Sequence, residues 1–112
     1  MSEIVGFAAK ASRAFGALAA IAIGGQPMRL LTRDEASILS RAIEAVAVGA
    51  SPERQIFMSP IASDQDFDAL AQENGISIAA DGCADVFLDW PHALALAKTL
   101  RSFADMGTES AL

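Results

Sequence analysis

Thr32 and Glu35 stand three residues apart at the head of a run whose apolar positions, Ala36, Leu39, Ile43 and Val46, recur at helical spacing. The Thr32 hydroxyl is placed to accept from the amide of Glu35, and the Glu35 carboxylate to accept from the amide of Thr32. That reciprocal cap fixes where a helix starts. Arg33, Ser37, Arg41 and Glu44 fall on the opposite, solvent-facing side, and Gly49 ends the segment.

The same arrangement occurs a second time. Residues 31–47 and 88–104 align without a gap, matching Leu31 with Leu88, Ala36 with Ala93, Leu39 with Leu96 and Ala47 with Ala104. Thr32 aligns with Asp89, Arg41 with Lys98, Ile43 with Leu100 and Val46 with Phe103. An apolar residue, a cap and an amphipathic helix converge on such a pattern without common descent, and two copies fall short of a repeat array. Either way, both helices are expected to turn the same kind of face to one sheet. The second starts at residues 89–91, where proline is tolerated in the first turn. It buries Ala93, Leu96, Leu100 and Phe103, and ends at Gly107 ahead of a frayed tail over residues 107–112.

Two more helices are expected. Residues 3–23 are rich in alanine and stop at Gly24-Gly25 before Pro27. Ile4, Phe7, Ala11, Ala14, Leu18 and Ile21 follow a seven-residue a/d spacing, a seam for a partner helix. Ala8, Ser12, Gly16, Ala20 and Gly24 form a row of small groups at every fourth position. A further helix is read over residues 63–74, capped by Ser63, with Phe67, Leu70 and Ala71 facing inward and Asn74-Gly75 closing it.

Strands are read at residues 54–59, 76–80 and 84–88. For the last two, a two-residue turn at Asp81-Gly82 would pair Ile78 with Asp85 and place a charge on the apolar face. A longer loop pairs Ile78 with Val86 and Ile76 with Leu88 and keeps the acids outside. The expectation is therefore one α+β domain over residues 1–112, with four helices packed on a small three-stranded, mainly antiparallel sheet. At 112 residues the chain suits one core and is too short for two.

Hydrophobic residues make up 53% of the chain and charged residues 20%, which excludes a disordered segment. Much of the apolar content is alanine, which adds little burial per residue, so a second copy would add cover to a thin core. No stretch reaches the roughly 20 apolar residues of a membrane span. The run over residues 14–23 behind Lys10 and Arg13 imitates a signal peptide, but Glu3, Ile4, Val5 and Phe7 spoil the leader. With Cys83 as the single cysteine, no internal disulfide or Cys-x-x-Cys pair forms, and a reducing, cytoplasmic location is the expectation.

Charge separates along the chain. Up to Arg33 four basic residues face one acid; from Asp34 onward thirteen acids face four basic residues. Such a chain is self-complementary within itself or between copies. The few amino-terminal basic residues ahead of an acidic body argue against nucleic acid.

Three groups invite chemistry. Asp64, Asp66 and Asp68 resemble the start of a calcium loop, but Ala69 and Gly75 stand where that loop needs glycine and glutamate, so no metal is expected. Cys83, His92 and Asp89 are a nucleophile, a base and an acid, with Cys83 at a hairpin tip and His92 roughly 17 Å beyond it at the strand rise. Trp90 sits at a strand-to-helix corner, as a core lid or an exposed anchor.

The function expected is a non-catalytic protein–protein interaction or assembly module that self-associates, with no cofactor. Its contact residues are Ile4, Phe7, Ala11, Phe15, Leu18, Ile21 and Trp90. The alternatives are a small enzyme using Cys83, His92 and Asp89, an acidic inhibitor of another protein, and attachment of a basic first helix to an anionic membrane.

Overall fold

The computed structural model describes residues 4–110 of the 112, with side chains placed as far as Met106. The first three residues, where the opening helix was expected to begin, and the last two of the expected tail lie outside the described residues. The order is β1 (Val5–Ser12), β2 (Gly16–Ile23), β3 (Arg29–Leu31), α1 (Arg33–Ala47), β4 (Gln55–Met58), β5 (Phe67–Gln72), β6 (Gly75–Ala79), β7 (Val86–Asp89) and α2 (Trp90–Ser110). The chain is α+β, but its described residues form two helices and two antiparallel sheets, β1-β2-β3 and β4-β5-β6-β7. Four helices on one three-stranded sheet is thus corrected.

Both missing helices are strands. Residues 5–23 form a hairpin in unbroken register from Val5↔Ile23 to Ser12↔Gly16. The row of small residues at every fourth position is what misled, because four is an even number and marks one face of a strand as well as one side of a helix. In the hairpin the row becomes the cross-strand pairs Ala8↔Ala20 and Ser12↔Gly16. Gly16, at φ +75°, closes the intervening turn in the left-handed region. Ala19, Ile21 and Ile23 alternate onto the core and are fully buried. Alanine's helix preference is a few tenths of a kcal/mol per residue, less than this pairing and burial supply.

Over residues 67–72 burial likewise alternates: Phe67, Ala69 and Ala71 point inward and Leu70 outward, 54% exposed. Period two replaces the i, i+3, i+4 pattern, and residues 73–74 become the turn to β6.

Other expectations hold. Thr32 Oγ1 accepts from the Glu35 amide at 3.2 Å while Glu35 Oε1 accepts from the Thr32 amide at 2.9 Å. Ala36, Leu39, Ile43 and Val46 are buried, as are Ala93, Leu96, Leu100 and Phe103. The last hairpin pairs Ile78 with Val86 and Ile76 with Leu88, the longer-loop register. Helix α2 runs through Gly107 to Ser110, so that glycine does not end it.

The two helices pack chiefly on each other and are joined by an Arg101–Glu44 ion pair. They do not share one sheet: α1 touches β2, β3 and β4, and α2 touches β6, β7 and β1. One buried cluster runs through both sheets and both helices, from Ile21, Ile23 and Leu31 to Ile76, Leu88 and Leu100.

The resemblance between residues 31–47 and 88–104 extends into the strands before them. Ala19↔Leu31, Ala20↔Leu30 and Ile21↔Arg29 recur, each residue 57 positions later as Leu31 is to Leu88, in Ile76↔Leu88, Ser77↔Phe87 and Ile78↔Val86. The preceding hairpins match as well, Phe7↔Ile21 with Ala69↔Ile78 and Ala9↔Ala19 with Ala71↔Ile76. Each half is therefore three antiparallel strands and a capped helix. The first hairpin is longer at its tip, and the second half carries an additional strand, β4.

Candidate functional site

The extra strand defines the first feature. β4 pairs with β5 through Ile56↔Ala69 and Phe57↔Asp68, and the Ala71 amide donates to the Arg54 carbonyl at 2.6 Å. β1 occupies the place of β5 in the first half, yet among the described residues nothing pairs with its outer side. The Gly24 amide donates to Ile4 O, so even-numbered residues of β1 exchange bonds with β2. By the alternation of an antiparallel ladder, the amides and carbonyls of Val5, Phe7, Ala9 and Ala11 then point to the open edge. The sequence around them holds one charge, Lys10, whose side chain lies on the opposite face of the sheet from Phe7.

Beside that edge lies a groove of about 270 Å³ lined by Phe7, Lys98, Thr99, Ser102, Phe103 and Met106. Phe7 meets Phe103 edge to face at 6.0 Å between centroids, and the Arg33 guanidinium lies 5.6 Å from the Phe103 ring. The groove lies between Phe7 of β1 and the Lys98–Met106 stretch of α2.

Of the residues expected to make contacts, Ile4, Phe7, Ala11 and Phe15 are exposed along the first hairpin. Leu18 and Ile21 are buried, at 6% and 0% exposure, because β2 is the central strand of its sheet. Trp90 is half-buried against the core, and its indole donates to the Glu73 carbonyl at 3.0 Å. The amphipathic first helix on which membrane attachment depended is absent. No helix among the described residues is long and apolar enough to cross a membrane. The outer face of the second sheet also exposes large apolar groups, Phe57, Leu70 and Phe87, in neighbouring rows.

The structure brings together two of the three residues of the enzyme alternative. Asp89 Oδ1 accepts from the His92 amide at 2.9 Å and lies 2.6 Å from His92 Nδ1, so Asp89 caps the first turn of α2, with a side-chain contact in place of the reciprocal backbone bond that Glu35 makes in α1. Those two bonds, the backbone one first, hold the Asp89 carboxyl below the ordinary carboxylate range. Cys83 lies in the loop at the other end of β7, about 13 Å of strand away. The calcium-like acids are dispersed too: Asp68 faces outward from β5 and accepts from the Gln55 amide group at 2.9 Å.

A polar junction in the core escaped the sequence reading. Arg29 is fully buried. Its Nε donates to Asp66 O at 2.8 Å, and Nη2 donates to Gln26 Oε1 at 2.9 Å and Ala79 O at 3.1 Å. The guanidinium lies 5.6 Å from the Phe67 ring centroid. Gln26 Nε2 in turn donates to Ile78 O at 2.8 Å and Ala84 O at 3.1 Å. These bonds tie the loop after β2 to the loop after β6. Burial pushes the Arg29 guanidinium below its ordinary value, while the charges of Cys83 and Asp66 act the other way. Nothing local in Met28-Arg29-Leu30-Leu31 signals this, since every partner but Gln26 is far along the chain.

The chain matches no protein-family model, no curated protein sequence and no solved structure.

Proposed function

We propose that this chain is a non-catalytic assembly module that self-associates by pairing β1 with β1 of a second copy. The observation that carries the proposal is the comparison between halves: β5 is covered by β4, and β1, in the matching position, is uncovered. Unpaired strand edges invite strand addition, and eight residues with a single charge form a long one. An antiparallel β1–β1 contact is isologous and joins two three-stranded sheets into one, as a twofold dimer requires. It also brings the partner's odd-numbered side chains onto the face where the groove lies, so backbone pairing and apolar burial act together. Lysine on an edge opposes such pairing. Here Lys10 projects from the other face and leaves the four outward amides accessible.

The contact moves from a helix seam to a strand edge, with Ile4, Phe7, Ala11 and Phe15 still on the surface involved. Light scattering over a concentration series tests the proposal on the full chain and on Ala9→Pro and Ala11→Pro. Each proline removes an outward N–H and spares the bonds to β2. Expected is a dimer for the natural chain and a monomer for both variants, with circular dichroism unchanged. A natural chain that stays monomeric, or folded proline variants that still dimerise, overturns it.

A further inference from the structure

The junction around Arg29 is incomplete. The guanidinium has five N–H donors. Nε and Nη2 are engaged, whereas Nη1 is buried and has no hydrogen-bond partner among the described residues. The acceptors that Arg29 has are three neutral oxygens, and among the described residues no carboxylate forms an ion pair with it. The Asp66 carboxylate acts on the Arg29 charge without touching it, and among the described residues Nη1 meets no acceptor, which is costly for a buried donor.

Cys83 lies in the loop whose Ala79 and Ala84 carbonyls are held by Arg29 and Gln26. The Cys83 amide donates to Ala80 O at 3.1 Å, and Gly82 between them has φ +73°, the third position of a type II turn. That turn folds Cys83 back over Ala80, one residue from the Ala79 carbonyl that Arg29 holds. The repeat leads to the same place. Cys83 stands 57 residues after Gln26, at the matching position of the matching loop, and Gln26 reaches across to the second half. The charges of Cys83 and Asp66 both act on Arg29. Cys83 is half-buried, open enough for a small oxidant to reach.

We propose that Cys83 is an oxidation site whose sulfinate serves as a directly contacting counter-ion for Arg29. With hydrogen peroxide as oxidant, the thiolate sulfur attacks one peroxide oxygen, the O–O bond breaks, and the departing hydroxide takes one proton from solvent to leave as water. Sulfur is oxidised to the sulfenic acid. A second peroxide repeats the step, giving sulfinic acid and a second water, and the acid loses its proton to the sulfinate. Its oxygens then accept from the two N–H groups of Arg29 Nη1, a charge-assisted pair of the kind guanidinium favours. Oxidation thereby tightens the contact between the two loops, which makes Cys83 a thiol whose oxidised form is stabilised by the fold.

The test separates the anion from the oxidation. Cys83→Asp supplies a carboxylate at this position and Cys83→Asn its neutral equivalent. At neutral pH the Tm of Cys83→Asp is expected to exceed that of Cys83→Asn by about 4 °C or more. The gain should vanish when Arg29→Gln is added. If that double variant does not fold, the Asp–Asn comparison decides alone. Peroxide treatment of the full chain, read by peptide mass mapping, should add two oxygen atoms at Cys83 and raise the Tm. A Cys83→Asp protein no more stable than Cys83→Asn, a Cys83 that stays reduced, or conversion only to a disulfide-linked pair of chains overturns the proposal.

Discussion

Leu39→Ala and Leu96→Ala probe whether the two halves form one core. The residues are equivalent, 57 positions apart, and at 1% and 3% exposure they are equally shielded. Each substitution removes three carbons from the seam between α1 and α2. Transfer alone accounts for about 2.4 kcal/mol, at roughly 0.8 kcal/mol per buried methylene. The cavity left behind raises the total to about 3–4 kcal/mol, since both side chains pack in one cluster whose neighbours are held by strands on either side. A domain of this size has on the order of 5–15 kcal/mol in all, so each variant loses a large part of its stability and melts about 10–20 °C lower. Urea unfolding followed by far-ultraviolet circular dichroism and by Trp90 fluorescence measures this. Expected are coincident curves for the two probes, equal losses in the two variants within about 1 kcal/mol, and more than additive loss in neither half alone. A loss below about 1 kcal/mol, or separate transitions for the two probes, refutes a single shared core.

Two further predictions concern the strand ends. Gly75→Ala is expected to prevent folding or cost several kcal/mol, because its Cβ would collide with the Leu88 carbonyl oxygen and lie 2.7 Å from Asp89 Cα, both backbone; soluble yield and Tm check this. The depressed acidity of Asp89 in the folded state favours folding above the ordinary carboxylate range, and that benefit is lost as pH falls through the depressed value. Melting from neutral pH down through the carboxylate range should therefore show a lead of the natural chain over Asp89→Asn that shrinks with acid, and a constant difference would contradict the sign.

What was legible in the sequence was local. The Thr32–Glu35 cap sits within one turn of helix, and the acids around Asp81 and Asp85 reject the shorter loop by parity alone. Both are consequences of neighbouring residues. The first hairpin was illegible for a specific reason: Ala8, Ser12, Gly16, Ala20 and Gly24 fit either period, and alanine tilts an ambiguous pattern toward helix. Leu70 misled in a related way, as an exposed leucine read as a buried one. The surface residues Phe7 and Ala11 were chosen for a helix seam, and they stay exposed because they lie on an edge strand. Arg29 was counted as part of a basic amino-terminal segment, yet its hydrogen bonds to Asp66 and Ala79 span 37 and 50 residues of chain. No local pattern encodes such a partner.

The open β1 edge can be observed directly by residue-resolved amide exchange at increasing protein concentration. The amides of Val5, Phe7, Ala9 and Ala11 should exchange fast in dilute solution and gain protection together as concentration rises, while those of Gly6, Ala8 and Lys10 are protected throughout. Four outward amides that exchange fast at every concentration would contradict pairing of this edge with a second copy.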